Sequence, residues 1–96
     1  MTETKHNYVD GEWLAADTGE TFTVTNPADQ SDIVGEFQQS GTGDAEAAVE
    51  AAAEASEMWA GTPGPERGRI LRATGQNLAD RKDELTEMLV REEGKA

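Results

Sequence analysis

The sequence predicts an α+β chain, and three observations carry that reading. Short β-forming runs with two-residue alternation occupy the stretch before position 41. Apolar stripes at helical spacing occupy the stretch after it. Strands and helices are segregated rather than alternating, which separates α+β order from the βαβ order of a parallel sheet. The expected organisation is a disordered N-terminus over 1–7, a strand and hairpin segment over 8–40 and a helical segment over 41–96, all within one partial domain.

Tyr8-Val9 and Trp13-Leu14 flank Asp10-Gly11, with Glu12 beside the turn. Asp-Gly between β-formers signals a hairpin, because Gly tolerates positive φ. Ala15 to Glu20 reads as a polar loop. Thr21 to Thr25 alternates and puts Phe22 and Val24 on one face of a half-buried strand. Asn26-Pro27-Ala28-Asp29 ends that strand, since Pro lacks an N–H and pulls the residue before it toward extended geometry. Ile33 to Phe37 is the next strand, with Ile33, Gly35 and Phe37 expected on one face.

Ser40 to Asp44 leads into the first helix, with Thr42 as the expected N-cap and Asp44 and Glu46 suited to the positive end of the dipole. This helix is expected to run to about Trp59 with a stripe of Ala45, Ala48, Val49, Ala52 and Trp59. Its other side carries Glu46, Glu50 and Glu54 at i, i+4 and i+8, where like charges destabilise a helix. Ala60 to Gly64 breaks it, and Pro65 suits a first helical position. Arg67, Ile70, Leu71, Thr74 and Leu78 form the stripe of a second helix, with Gly75 inside it either tolerated or marking close approach of a neighbour. Asp80 or Lys82 marks a kink or restart. Leu85, Met88 and Leu89 form the stripe of a third helix, which Gly94 closes as a C′ residue.

The chain has 96 residues and a formal charge of −12, with 20 acids against 8 bases. That sign repels nucleic acid backbones and anionic membranes. The acids are spread rather than gathered in a tail, and Lys occurs only at positions 5, 82 and 95. A generic solvated surface and adaptation to concentrated intracellular salt both account for this, and the even spread favours the halophile-like reading. Leu, Ile, Val and Phe together number 14 of 96 residues, too few for a self-sufficient core. The apolar faces are therefore expected to lie against a partner surface. Cysteine is absent, so disulfides and Cys metal sites are excluded. The polar start Met1 to His6 has no apolar signal core, and no apolar run approaches the length of a membrane span, so the expected location is cytoplasmic.

Five short words stand in one order: Tyr8-Val9-Asp10-Gly11-Glu12-Trp13, Thr25-Asn26-Pro27-Ala28, Pro65-Glu66-Arg67-Gly68-Arg69-Ile70-Leu71, Arg81-Lys82-Asp83-Glu84-Leu85 and Glu93-Gly94-Lys95. Their order and spacing resemble the N-terminal segment of the NAD(P)-dependent aldehyde dehydrogenase superfamily, from about Tyr8 to Lys95. Ala45 departs from the larger aliphatic usual in that pattern, and Glu93 from the Thr common before Gly-Lys. The resemblance implies that the segment belongs to an α/β dinucleotide-binding domain and packs around its sheet. It implies a parent enzyme, commonly a homo-oligomer, that uses NAD or NADP to oxidise an aldehyde to a carboxylate, with the semialdehyde of a dicarboxylic acid as the substrate class.

The same resemblance implies that the chemistry lies elsewhere. The family's nucleophile is a Cys thiolate, assisted by a Glu base and an oxyanion-stabilising Asn. None of these has a counterpart in this chain, which on its own is expected to be inactive and to bind no cofactor. In many family members backbone carbonyls just before the Asn-Pro pair help hold a monovalent cation. The matching residues are Val24 and Thr25, with the other ligands expected beyond Ala96; ordinary strand residues are the competing reading. The expected partners are the remainder of the dehydrogenase chain or another protein. The rival function is a stand-alone acidic protein-interaction module derived from the family.

Other residues read more plainly. Gly41-Thr42-Gly43 opens a helix after a strand but lacks the third Gly of a dinucleotide fingerprint, and the adjacent acids would repel a pyrophosphate. His6 reads as solvated and Glu92-Glu93 as a solvated helix end. Trp13 and Trp59 read as core anchors, and Arg67, Arg69 and Arg72 as ion-pair partners among so many acids.

Overall fold

The computed structural model describes residues 3–95. Strands β1 (Asn7–Val9), β2 (Glu12–Leu14), β3 (Thr21–Asn26) and β4 (Asp29–Gln38) precede helices α1 (Thr42–Gly61), α2 (Gly64–Asp80) and α3 (Lys82–Glu93). This is the segregated order that the patterning predicts. The strands form two antiparallel two-stranded sheets, β1 with β2 and β3 with β4.

The β1–β2 turn forms as its residues demand. Asp10 has φ 50° and Gly11 φ 78°, the paired positive values of a type I′ hairpin. Tyr8 lies opposite Trp13 with ring centroids 4.8 Å apart. Trp13 nevertheless stays 70% exposed, so it is not the core anchor expected of it.

The β3–β4 pair differs from expectation in two respects. Pro27 does end β3, but β4 starts at Asp29, so Asn26–Asp29 is a tight turn rather than a longer break. Asn26 stabilises it by accepting the Ala28 N–H on Oδ1 at 2.9 Å. Second, the register shifts: Val24 lies opposite Gly35, yet Thr25 lies opposite Ile33. Val34 is thus the extra residue of a bulge, which turns Ile33 away from the face shared by Gly35 and Phe37. Val34 becomes one of the buried apolar side chains, while Ile33 is exposed.

The small core is polar at its centre. Ala16, Val34, Gly35 and Gln38 are its buried members among the described residues. Gln38 is satisfied at both ends of its amide: Oε1 accepts the Ala16 N–H at 2.8 Å and Nε2 donates to the Lys5 carbonyl at 2.9 Å. Of the span expected to be disordered, Met1 and Thr2 lie outside the described residues, whereas Glu3–Lys5 run along β4. The Lys5 N–H donates to the Glu36 carbonyl at 2.7 Å and the Glu36 N–H donates to the Glu3 carbonyl at 3.0 Å.

The helices bury nothing completely; α1, α2 and α3 have no buried residue. α1 is capped at Gly41, not Thr42, because Asp44 reaches back and accepts the Gly41 N–H at 3.0 Å. α2 starts at Gly64 with Pro65 second. Arg81 is the break between α2 and α3, and Gly94 ends α3 with φ 75°, the left-handed C-terminal geometry expected of it. The radius of gyration is 16.8 Å, against about 13 Å for a compact domain of 100 residues. The chain is extended, with its helical faces open. Among the described residues no helix is long and apolar enough to cross a membrane.

Candidate functional site

Val24 and Thr25 sit where β3 meets the bulge, both half-buried. The turn that follows is held by a polar cluster. Arg91 of α3 donates from Nη2 to Asp32 Oδ1 at 2.7 Å and from Nε to Asp32 Oδ2 at 3.1 Å. Its Nη2 also donates to the Ile33 carbonyl at 2.9 Å. Asn26 Nδ2 donates to Asp32 Oδ2 at 3.2 Å. The Arg91 guanidinium, and next the Asn26 amide, hold the Asp32 carboxyl below the usual carboxylate range. The same pair raises Arg91 further. A bidentate guanidinium–carboxylate pair fixes direction as well as distance, so the end of α3 is registered on the hairpin.

Gly94 completes that contact. A Cβ built there would lie 3.0 Å from the Ala28 nitrogen and 3.1 Å from Pro27 Cβ, so only glycine allows this approach at φ 75°. The side of α3 turned to the hairpin holds Met88, Val90, Arg91 and Gly94, while Leu85 and Leu89 stay exposed. The expected apolar stripe of α3 thus points largely away from the contact this chain makes.

The oxygen chemistry near Val24 and Thr25 bears on a hard monovalent cation. The adjacent side-chain oxygens are already engaged: Asp32 by Arg91 and Asn26, and Asn26 Oδ1 by Ala28. Among the described residues no three His, Cys, Asp or Glu side chains gather as a metal cluster. Beside the exposed Asp29 carboxylate, which accepts from Ser31, the turn offers backbone carbonyls, and uncharged carbonyl oxygens suit a singly charged hard ion.

The start of α1 does not suit a pyrophosphate. Asp44 accepts the Gly41 N–H on Oδ2 and the Asp17 N–H on Oδ1 at 3.1 Å. Asp17 itself points a carboxylate to 3.5 Å from where a Gly43 Cβ would lie. Two carboxylates occupy the anion position at the helix start.

A broad concavity lies between α1 and α2. It measures about 720 Å³ and is lined by Ala52, Ala55, Met58, Trp59, Thr62 and Ile70 among others. Trp59 is 39% exposed there, so it borders an open groove rather than anchoring a core. Arg67, Arg69 and Arg72 form no ion pair among the described residues. The Arg67 Nε is buried without an acceptor.

A model of the aldehyde dehydrogenase family matches residues 13–96. The chain is 59% identical over all 96 residues to α-ketoglutarate semialdehyde dehydrogenase of Haloferax volcanii, covering 20% of that protein. It is 44% identical over 90 residues to malonate-semialdehyde dehydrogenase of Bacillus pumilus, covering 94% of this chain and 18% of that one. A 3,6-anhydro-L-galactose dehydrogenase in complex with NAP superposes with a TM-score of 0.90 at 34% identity, over 97% of this chain and 19% of the other. The chain therefore spans about a fifth of the length of these relatives and corresponds to their N-terminal part. Matched by the family model over most of its length and aligned to relatives along all of it, the chain belongs to the aldehyde dehydrogenase family.

Proposed function

We infer that this chain serves as the N-terminal part of an NAD(P)-dependent semialdehyde dehydrogenase that works in concentrated salt. Its role is structural: α1 and α2 flank the cofactor domain and the β3–β4 turn is a fixed corner of the assembly. The substrate class is a carboxylate-bearing semialdehyde, oxidised to the dicarboxylate, with NAD(P)+ taking the hydride. The identity of 59% along the full chain to an α-ketoglutarate semialdehyde dehydrogenase carries this reading, and the malonate- and glutarate-semialdehyde relatives define the class. The Val24 and Thr25 carbonyls contribute to a monovalent cation site completed by residues outside this chain. The 20 acids against 8 bases, together with the Haloferax origin of the 59% identical relative, support the concentrated-salt reading, and the protein is cytoplasmic and assembles as a homo-oligomer.

The test is to extend the reading frame into the flanking DNA, purify the encoded protein from molar KCl, and assay α-ketoglutarate semialdehyde with NAD+ and NADP+. Turnover by the longer protein and none by the 96 residues alone is the expected result. A frame that closes without a cofactor domain would favour the stand-alone interaction module instead, and turnover by the 96 residues alone would overturn both readings.

A further inference from the structure

The chain divides unevenly around one long-range contact. Asp32 and Arg91 are 59 positions apart, yet meet through two hydrogen bonds, with a third from Arg91 to the Ile33 carbonyl. Gly94 lies against Pro27 and Ala28 in a space that no side chain fits. The β4 edge is further tied to Lys5 and Ala16 through Gln38. α1, by contrast, touches the rest through its first turn, where Asp44 meets Asp17, and through a loose border of Ala48, Ala51 and Ala52 along Tyr8 and Val9. α2 makes no side-chain hydrogen bond outside itself among the described residues. Closing a long loop is entropically unfavourable, so a contact at this separation must be held by directed bonds at the closing point.

We propose that Arg91 and Gly94 form a clasp that makes β3, β4 and α3 one cooperative unit, from which α1 and α2 extend as a separately ordered arm. The clasp closes the loop from Asp32 to Arg91 that contains the arm, and holds β4 to α3 without ordering the arm itself. In a protein of this size, local units open independently when few buried contacts link them. The arm keeps its apolar groove open for another surface, while the clasped unit is tied together by bonds within the chain. The assignment rests on contacts inside these residues and not on the dehydrogenase reading.

Hydrogen exchange followed by mass spectrometry on the whole 96-residue chain in molar KCl tests it. The expected pattern is common, slower exchange across 21–38 and 82–94, and faster exchange across 42–80. Asp32→Asn and, separately, Arg91→Gln are expected to speed both clasped segments together by several-fold, and the double variant to add little beyond either single one. The arm should hardly change. Slower exchange in 42–80 than in the clasped segments of the unmodified chain would overturn the proposal before any variant is made. So would a variant that speeds every segment alike, or one that affects only the element carrying the substitution.

Discussion

Helices α1 and α3 belong to one chain and are held in opposite ways. α3 carries both signs of charge and commits Arg91 to the β3–β4 hairpin. α1 carries Asp44, Glu46, Glu50, Glu54 and Glu57 with no base at all. Its Ala-rich face borders an open groove, and its glutamates gather on the far side. The comparison shows which contacts are made inside this chain. The α3 contact uses a guanidinium, a glycine and backbone, not the leucine stripe that marks α3 as amphipathic. Leu85 and Leu89 remain as exposed as the groove residues of α1 and α2. Leu85 and Leu89 are thus left for other surfaces, while Arg91 and Gly94, beside Met88 and Val90, anchor α3 here.

The sharpest way to break the contrast is Gly94→Ala. Left-handed geometry in a residue with a Cβ, together with displacement of the Pro27–Ala28 turn, should cost about 2–3 kcal/mol. The urea midpoint of the chain in molar KCl should fall, and Val90 to Glu93 should exchange as fast as α1. An unchanged midpoint would mean that α3 does not rest on the turn.

The ion pair gives a pH test with a definite sign. Asp32 is held below its usual range by Arg91 first and Asn26 second, while Glu87 also faces Arg91. A depressed carboxylate contributes stability that is fully present above the ordinary value and is lost as pH falls through the lower, folded one. Protection of α3 should therefore hold down to about pH 4 and fall below it. In Asp32→Asn it should be lower at neutral pH and flatter through the same acid range. Parallel curves for the two proteins would remove Asp32 from the account.

Gly75 sharpens the contrast from the α2 side. A Cβ added there meets nothing within 4 Å, so Gly75→Ala should stabilise the isolated chain by about 0.5–1 kcal/mol through backbone entropy alone. In the longer protein proposed above the same change should be harmful if that face is closely covered. Thermal unfolding of both proteins measures it. A gain in both would leave Gly75 as simple tolerance and remove the case for close packing on that side of α2.

Much of this was legible in the sequence because turns are local. Asp10-Gly11 and Gly94 take positive φ that few residues adopt, Pro27 withdraws a backbone donor, and each ends an element where expected. The bulge at Val34 was not legible, since alternation continues through it and the extra residue shows only in the pairing with Thr25. Asp32 with Arg91 was hidden for a different reason: no periodicity links positions 59 apart. Gln38 lies one residue past the strand that the alternation predicts, and its burial depends on Lys5 and Ala16 arriving from elsewhere. At α1 the local signals competed, and the carboxylate of Asp44 reached back where the hydroxyl of Thr42 was expected to cap. Val24 and Thr25 were singled out by likeness to a family, because nothing in a carbonyl can be read from side-chain chemistry.

The smallest effect tests why α1 stands apart. Glu50 is four residues from both Glu46 and Glu54, so Glu50→Lys removes two repulsive spacings and adds attractive ones. Each pair is worth a few tenths of a kcal/mol, so the helical signal should rise modestly in dilute buffer. Screening reaches about 3 Å at 1 M salt, so the difference between the two proteins should shrink as KCl is added. The unmodified chain should gain helicity with salt and the variant should gain less. If both gain equally, salt is strengthening burial rather than relieving charge, and the acid ridge is not what separates α1 from α3.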